Sequence, residues 1–142
     1  MNEKTIDYWI ERAKQIAIQA HEGQKRRGGQ PYIEHPLRVA NEVENGLKPI
    51  AFLHDVCEDS NITLYDLQKE GFPQYIIDAV DLLTHKKEDT NVQYWIKIAK
   101  NPDAVEVKLK DIKDNLGDNP NERQKQKYVK ALDLFKKLGV SS

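Results

Sequence analysis

In 142 residues the chain has one cysteine, one methionine, two tryptophans and three phenylalanines. The lone thiol, Cys57, excludes an internal disulfide and suits a reducing compartment. Lys and Arg number 22 against 23 Asp and Glu, a net charge of −1, so no global field draws the protein to nucleic acid or an anionic membrane. A polyanion would have to be held by a local basic patch. No apolar run is long enough to span a bilayer, and residues 1–7 carry no apolar leader. These absences read as a cytoplasmic protein with neither a membrane nor a nucleic-acid polymer as partner. Alternating strand patterns, internal repeats and low-complexity linkers are missing as well.

What remains is helical. Charged residues make up 32% of the chain and hydrophobic ones 39%, a mix for one domain over 1–142 with a core that needs no staples. Apolar spacing predicts helices from Ile6 to about Ala20, from His35-Pro36 to about Asn45, and through the stretch around Ala51 to Asp59. Thr63 to Asp66 looks like a variant capping box opening a short helix that ends near Gly71. Further helices are expected from about Pro73 to Thr84, Asn91 to Lys100, Ala104 to Leu116 and Asn121 to Leu138. The fold class is a single compact all-α bundle. Trp9, Trp95, Tyr94 and Tyr128 should pack helices together or serve a subunit contact, so a homodimer is an admissible assembly. Lys125, Lys127, Lys130, Lys136 and Lys137 read as a solvated face of the last helix.

The densest chemistry lies in Ala51-Phe52-Leu53-His54-Asp55-Val56-Cys57-Glu58-Asp59. Wound as one helix, His54, Asp55, Glu58 and Asp59 share an arc of roughly 140°, while Ile50, Phe52, Leu53, Val56 and Cys57 take the other side. Three acids and a histidine so crowded repel one another unless a cation or a substrate resolves the charge. His35 upstream and Asp111 downstream extend the set. Two imidazoles with two carboxylates suit a borderline divalent ion such as Mn²⁺, Fe²⁺, Co²⁺ or Zn²⁺, and the lack of a thiolate cluster argues against a closed structural zinc site. Lys108, Asp111 and Asn115 fall on one side of their helix; alone, Lys108/Asp111 would be an ordinary surface ion pair. The loop Lys25-Arg26-Arg27-Gly28-Gly29 offers forked donors and close backbone approach to a phosphate, although similar loops also serve as solvated turns.

The segments His21-x-x-Gln24-x-Arg26-Arg27-x-Gly29-x-Pro31-Tyr32-Ile33-x-His35-Pro36, His54-Asp55-x-x-Glu58-Asp59 and Val107-Lys108-Leu109-x-Asp111-x-x-x-Asn115-Leu116 resemble, in order, the HD-domain hydrolases of the RelA/SpoT type. The resemblance covers about 6–116, the helix at about 121–138 following it. It implies an HD domain that removes the 3′-pyrophosphate of ppGpp with Mn²⁺. His35, His54, Asp55 and Asp111 would be the metal ligands, and Glu58 and Asp59 the pair that activates the attacking water. Arg26 and Arg27 would bind the nucleotide with Lys25 and Lys108. His85 and Lys86 resemble a family segment near the nucleotide, although a basic turn there also complements the preceding helix dipole. Asn115 would contact ribose or phosphate, or orient Asp111. Three departures stand out: Lys110 where the family usually has a small residue, Asp114 where many members have an aromatic or histidine, and a short stretch between His35 and His54. The alternatives are a phosphohydrolase of another nucleotide, such as a 2′- or 3′-phosphorylated dinucleotide cofactor, and a silent nucleotide sensor.

Overall fold

Helix starts are written into the sequence by polar caps, and the computed structural model, which describes residues 4–140, shows where each one acts. Thr5 caps α1 (Ile6–Ala20) by accepting from the Tyr8 amide at 3.3 Å. Thr63 and Asp66 form a reciprocal capping box at the head of α5 (Leu64–Lys69), as do Thr90 and Gln93 for α7 (Asn91–Ala99) and Asn121 and Gln124 for α9 (Glu122–Lys137). Each box satisfies two backbone donors that a helix end would otherwise leave unpaired. Asn101 caps α8 (Pro102–Leu116), and Pro102 takes the first helical position, two residues before the expected start. Between these run α2 (Glu34–Asn41), α3 (Lys48–Leu53), α4 (Val56–Asp59) and α6 (Gln74–Leu83).

The short helix α3 is the axis of the bundle. Pro49 to Leu53 are all buried, and α1, α2, α6 and α8 pack around them. The core continues through Trp9, Val39, Ile76, Val80, Trp95, Ile98 and Ile112. No strand forms among the described residues beyond one isolated bridge, Lys25 to Pro31. The all-α reading holds. Trp9, Tyr94 and Trp95 are spent on this core and offer little surface to a second copy. The outermost few residues of the expected 1–142 domain lie outside the described residues.

Two elements differ from expectation. The second helix stops at Asn41, and Asn45–Leu47 forms a 3-10 turn instead. More important, the expected helix through Asp59 is broken at His54-Asp55, where φ/ψ are −59/−28° and −109/−1°. The cause is local. His54 Nδ1 donates to the Ala51 carbonyl at 2.6 Å, which is the acceptor that the Asp55 amide would need to continue α3. Glu58 and Asp59 therefore ride on a separate short helix, and the one-rigid-helix arrangement is corrected.

Phe135 is fully buried and ties α9 to the core. Phe135→Ala is expected to cost about 3–5 kcal/mol in urea unfolding. A loss under about 1 kcal/mol would show that α9 is not part of the cooperative unit.

Candidate active site

Two helix ends and the interior of a third helix converge on one polar cluster. Glu34-His35 opens α2, His54-Asp55 is the step between α3 and α4, and Asp111 lies in the last turns of α8. His35, His54 and Asp111 are buried, at 1%, 2% and 4% exposure. Asp111 Oδ1 lies 2.8 Å from His35 Nε2 and 3.2 Å from His54 Nε2. Asp55 Oδ2 sits 3.0 Å from His54 Nε2 and 3.6 Å from His35 Nε2. One donor atom from each of the four residues lies within 4.8 Å of all the others.

The far ring nitrogens fix how the two imidazoles face the cluster. His54 Nδ1 is engaged by the Ala51 carbonyl, and His35 Nδ1 lies 2.6 Å from Asp114 Oδ2. With both Nδ1 atoms donating, neutral imidazoles turn their Nε2 lone pairs toward two carboxylates. Lone pairs and carboxylates repel unless a proton or a cation stands among them. Burial pulls the His54 pKa down, but Asp55 and Asp111 outweigh it and hold the group well above its ordinary value. His35 moves up likewise, with Asp111 and Asp114 overcoming burial. Asp111 goes the other way: burial raises it, and Lys108, His54 and His35 together hold it well below the carboxylate range. Asp55 is held at about 2 against burial by His54. Two imidazoles and two ionised carboxylates converging at this range fit a divalent ion.

Beside the cluster opens a cavity of about 350 Å³, a size suited to a nucleotide. Its walls include Lys25, Arg26, Arg27, Asp55, Glu58, Asp59, Lys108, Asp111 and Asn115, so most of the sequence-selected residues share one space. Glu58 Oε1 accepts the His85 backbone N–H at 2.5 Å, and burial with Asp55 nearby raises its pKa although that bond opposes it. Asp59 is raised by burial and by Asp55. The Gln24 amide donates to the Asp59 carbonyl at 2.7 Å and so ties α4 to the basic loop. Lys108 Nζ donates to Asp111 Oδ2 at 3.1 Å, and Asn115 Nδ2 to Asp111 Oδ1 at 3.1 Å.

The basic loop is organised by side chains. Arg26 Nε donates to Asp118 Oδ2 at 2.6 Å and Nη2 to Asn115 Oδ1 at 3.0 Å, while Arg27 Nη1 donates to Gln124 Oε1 at 2.8 Å. Gly29, at φ +92°, turns the loop back so that the Arg26 amide reaches the Gln30 carbonyl. That glycine makes the turn, a different service from close approach to a phosphate.

Some expected residues point elsewhere. Lys86 Nζ is drawn to the Asp81 and Thr84 carbonyls at the end of α6, the dipole-capping alternative, and does not line the cavity. The His85 ring stacks on Tyr94 at 4.3 Å and donates to the Asp89 carbonyl, bordering a smaller adjoining cavity of about 110 Å³. Sequence reasoning missed more on the other side. The Tyr32 hydroxyl, to which the motif gave no role in the site, donates to Asp55 Oδ2 at 2.7 Å. Gln124, Lys127 and Tyr128 of α9 form a wall of the cavity, so Lys127 does not belong to a purely solvated face. The signal was present in the spacing of Gln124, Tyr128, Ala131 and Phe135, which continues the buried stripe of α9 toward the site. Arg38 and Asp114 behind His35 were also missed as partners.

Fold and donor cluster together define an all-α HD-type domain. No protein-family model matches the chain. Over 145 residues it is 32% identical to a GTP pyrophosphokinase of Streptomyces coelicolor, covering 91% of this chain. It is 34% identical over 120 residues to the guanosine-3′,5′-bis(diphosphate) 3′-pyrophosphohydrolase of Aquifex aeolicus, covering 75% of this chain. In each case the match spans 17% of the relative's length. A solved structure of a metazoan ortholog of SpoT that hydrolyzes ppGpp superposes with a TM-score of 0.76 at 24% identity, covering 95% of this chain and 88% of that one. The chain is thus similar in sequence and in fold to the RelA/SpoT-type HD-domain hydrolases.

Proposed function

We propose that this domain is a metal-dependent phosphohydrolase that removes the 3′-pyrophosphate of ppGpp, giving GDP and pyrophosphate, with Mn²⁺ at the His35, His54, Asp55 and Asp111 cluster. The observation that carries the reading is the convergence of those four donors within 4.8 Å at the edge of a cavity lined by basic side chains. The Aquifex relative named for this reaction supports the choice of substrate.

When bound, a divalent ion lowers the pKa of a coordinated water and neutralises charge on phosphoryl oxygens. The chain's own residues supply the rest. Glu58 and Asp59, whose pKa values are raised by partial desolvation at the cavity wall, are suited to take a proton from water. Lys108, Arg26, Arg27 and Lys25 offset the charge of the two diphosphates. The Tyr32 hydrogen bond restrains Asp55 in the orientation that faces both imidazoles. Asn115 links Asp111 to Arg26 and is suited to couple the ligand cluster to a bound nucleotide.

The cluster predicts an unusual pH response. His35 and His54 titrate above their unfolded value, so their stabilisation is present below about pH 6.5 and is lost as pH rises through the raised folded values. The depressed Asp55 and Asp111 stabilise above about pH 4 and lose that contribution as pH falls through their lowered folded values. Metal-free protein should therefore melt highest between about pH 4 and 6.5 and fall in stability as pH rises beyond that window. Added Mn²⁺ needs neutral imidazoles, releases protons and should cancel that fall. A metal-free melting temperature that does not fall as pH rises above about 6.5 would contradict the assignment of paired imidazoliums.

The substrate assignment is tested by measuring pyrophosphate and orthophosphate released from ppGpp, pppGpp, NADPH and ordinary nucleotides, with Mn²⁺ and with a chelator. Chelator-sensitive pyrophosphate from ppGpp or pppGpp alone is expected. Orthophosphate from another nucleotide would keep the site and replace the substrate; binding without turnover would turn the reading to a sensor.

A further inference from the structure

The Nδ1 side of His35 is held in a way that the four donors themselves do not require. We propose that Asp114, clamped by Arg38, is a positioning residue that fixes the His35 ring with Nδ1 donating and Nε2 free, and that this pair sets the affinity of the centre for a divalent cation. The inference rests on the reading of His35, His54, Asp55 and Asp111 as metal ligands.

The geometry distinguishes the two imidazoles. His54 is oriented by a backbone carbonyl, that of Ala51, which the chain cannot vary. His35 is oriented by a side chain, Asp114 Oδ2, at 2.6 Å. Asp114 lies one helical turn beyond Asp111 on α8. One helix therefore grips both edges of a single buried ring, Asp111 at Nε2 and Asp114 at Nδ1. A flipped ring would turn carbon atoms to Asp114 and to Asp111 and lose both contacts.

Asp114 is itself immobilised. Arg38 Nε donates to its Oδ1 at 2.6 Å and Arg38 Nη2 to its Oδ2 at 3.1 Å, a forked pair that leaves the carboxylate no freedom to swing away. Arg26 adds a weaker contact at 4.0 Å. A carboxylate accepting from the far nitrogen of a ligating histidine fixes its tautomer and raises its basicity, and loss of such a partner typically weakens metal binding about 10–100-fold. Arg38 acts one step further out: it holds the acceptor, and its removal should matter less than removal of the acceptor.

The test is Mn²⁺ titration of the chelator-treated protein, wild type against Asp114→Ala, Asp114→Asn and Arg38→Gln, with free Mn²⁺ read by electron paramagnetic resonance. The ¹⁵N imidazole spectrum of the Zn²⁺-loaded protein reports which His35 nitrogen carries the proton. Expected are binding weakened about 10–100-fold in Asp114→Ala, smaller losses in Asp114→Asn and Arg38→Gln, and an Nδ1–H form of His35 that is uniform only in wild type. A merely structural Asp114 would lower the melting temperature and leave the ring's proton in place. Should Asp114→Ala fail to fold, Asp114→Asn keeps the shape and an acceptor oxygen and carries the comparison. Affinity within about twofold of wild type in the folded Asp114 variants, or an Nε2–H His35 in wild type, overturns the proposal. Wild type that binds neither Mn²⁺ nor Zn²⁺ overturns the metal reading itself, a result distinct from tight wild-type binding that the variants share.

Discussion

Replacing Glu58 by glutamine is expected to leave the nucleotide bound and almost unturned, with kcat down about 10²–10⁴-fold and KM within a few-fold of wild type. The expectation follows from what Glu58 touches. Its Oε1 is fixed by the His85 amide, and its Oε2 has no protein donor among the described residues, so one oxygen is anchored and the other is open to water. Burial and the neighbouring Asp55 raise its pKa, which makes it a better base than a fully solvated glutamate. Glutamine preserves the anchored oxygen and the volume while removing the basic one. Mn²⁺ affinity should stay close to wild type, because Glu58 is not among the four clustered donors. Single-turnover measurement with saturating ppGpp separates the outcomes: a rate within threefold of wild type, roughly 0.6 kcal/mol in the barrier, would remove Glu58 as the base and leave Asp59.

How much of this was legible in sequence depends on range. Helices were legible because caps and periodicity are local: Thr63 and Asp66, or Asn121 and Gln124, sit three residues apart and act on each other's amides. Lys108 and Asp111 alone read as a surface pair. That His35, His54, Asp55 and Asp111 belong together was legible through the crowded acids around His54 and through the family resemblance, which supplied the four as a set. The break at His54-Asp55 was not. It depends on an imidazole capturing the Ala51 carbonyl, a choice that helical projection cannot register. The clamp behind His35 joins residues 79 apart and the loop's grip on α9 joins residues 97 apart, so neither pairing leaves a periodic trace. Lys127 shows the same limit: exposure along one helix says nothing of the cavity that another loop builds against it.

Asp111→Asn should produce the largest combined loss. Asp111 is the hub at which His35 Nε2, His54 Nε2 and Asn115 Nδ2 meet one carboxylate oxygen and Lys108 Nζ meets the other. The amide keeps the shape and deletes the charge. Lys108, whose side chain is only 14% exposed, then holds an ammonium without its counter-ion, and the imidazoles lose a carboxylate neighbour. Removing one partner of such a buried pair costs about 3–5 kcal/mol, which should appear in urea unfolding of the metal-free protein. Metal binding and turnover should fail together, since one of the four donors is gone. The two losses can be pulled apart with Lys108→Met on the Asp111→Asn background. Taking out the stranded cation should restore much of the stability, because an apolar replacement of a buried pair is often neutral. Metal affinity and hydrolysis should stay lost. If the double variant regained turnover, or if Asp111→Asn alone unfolded within about 1 kcal/mol of wild type, Asp111 would be neither the electrostatic hub of the cluster nor a ligand on which the chemistry depends.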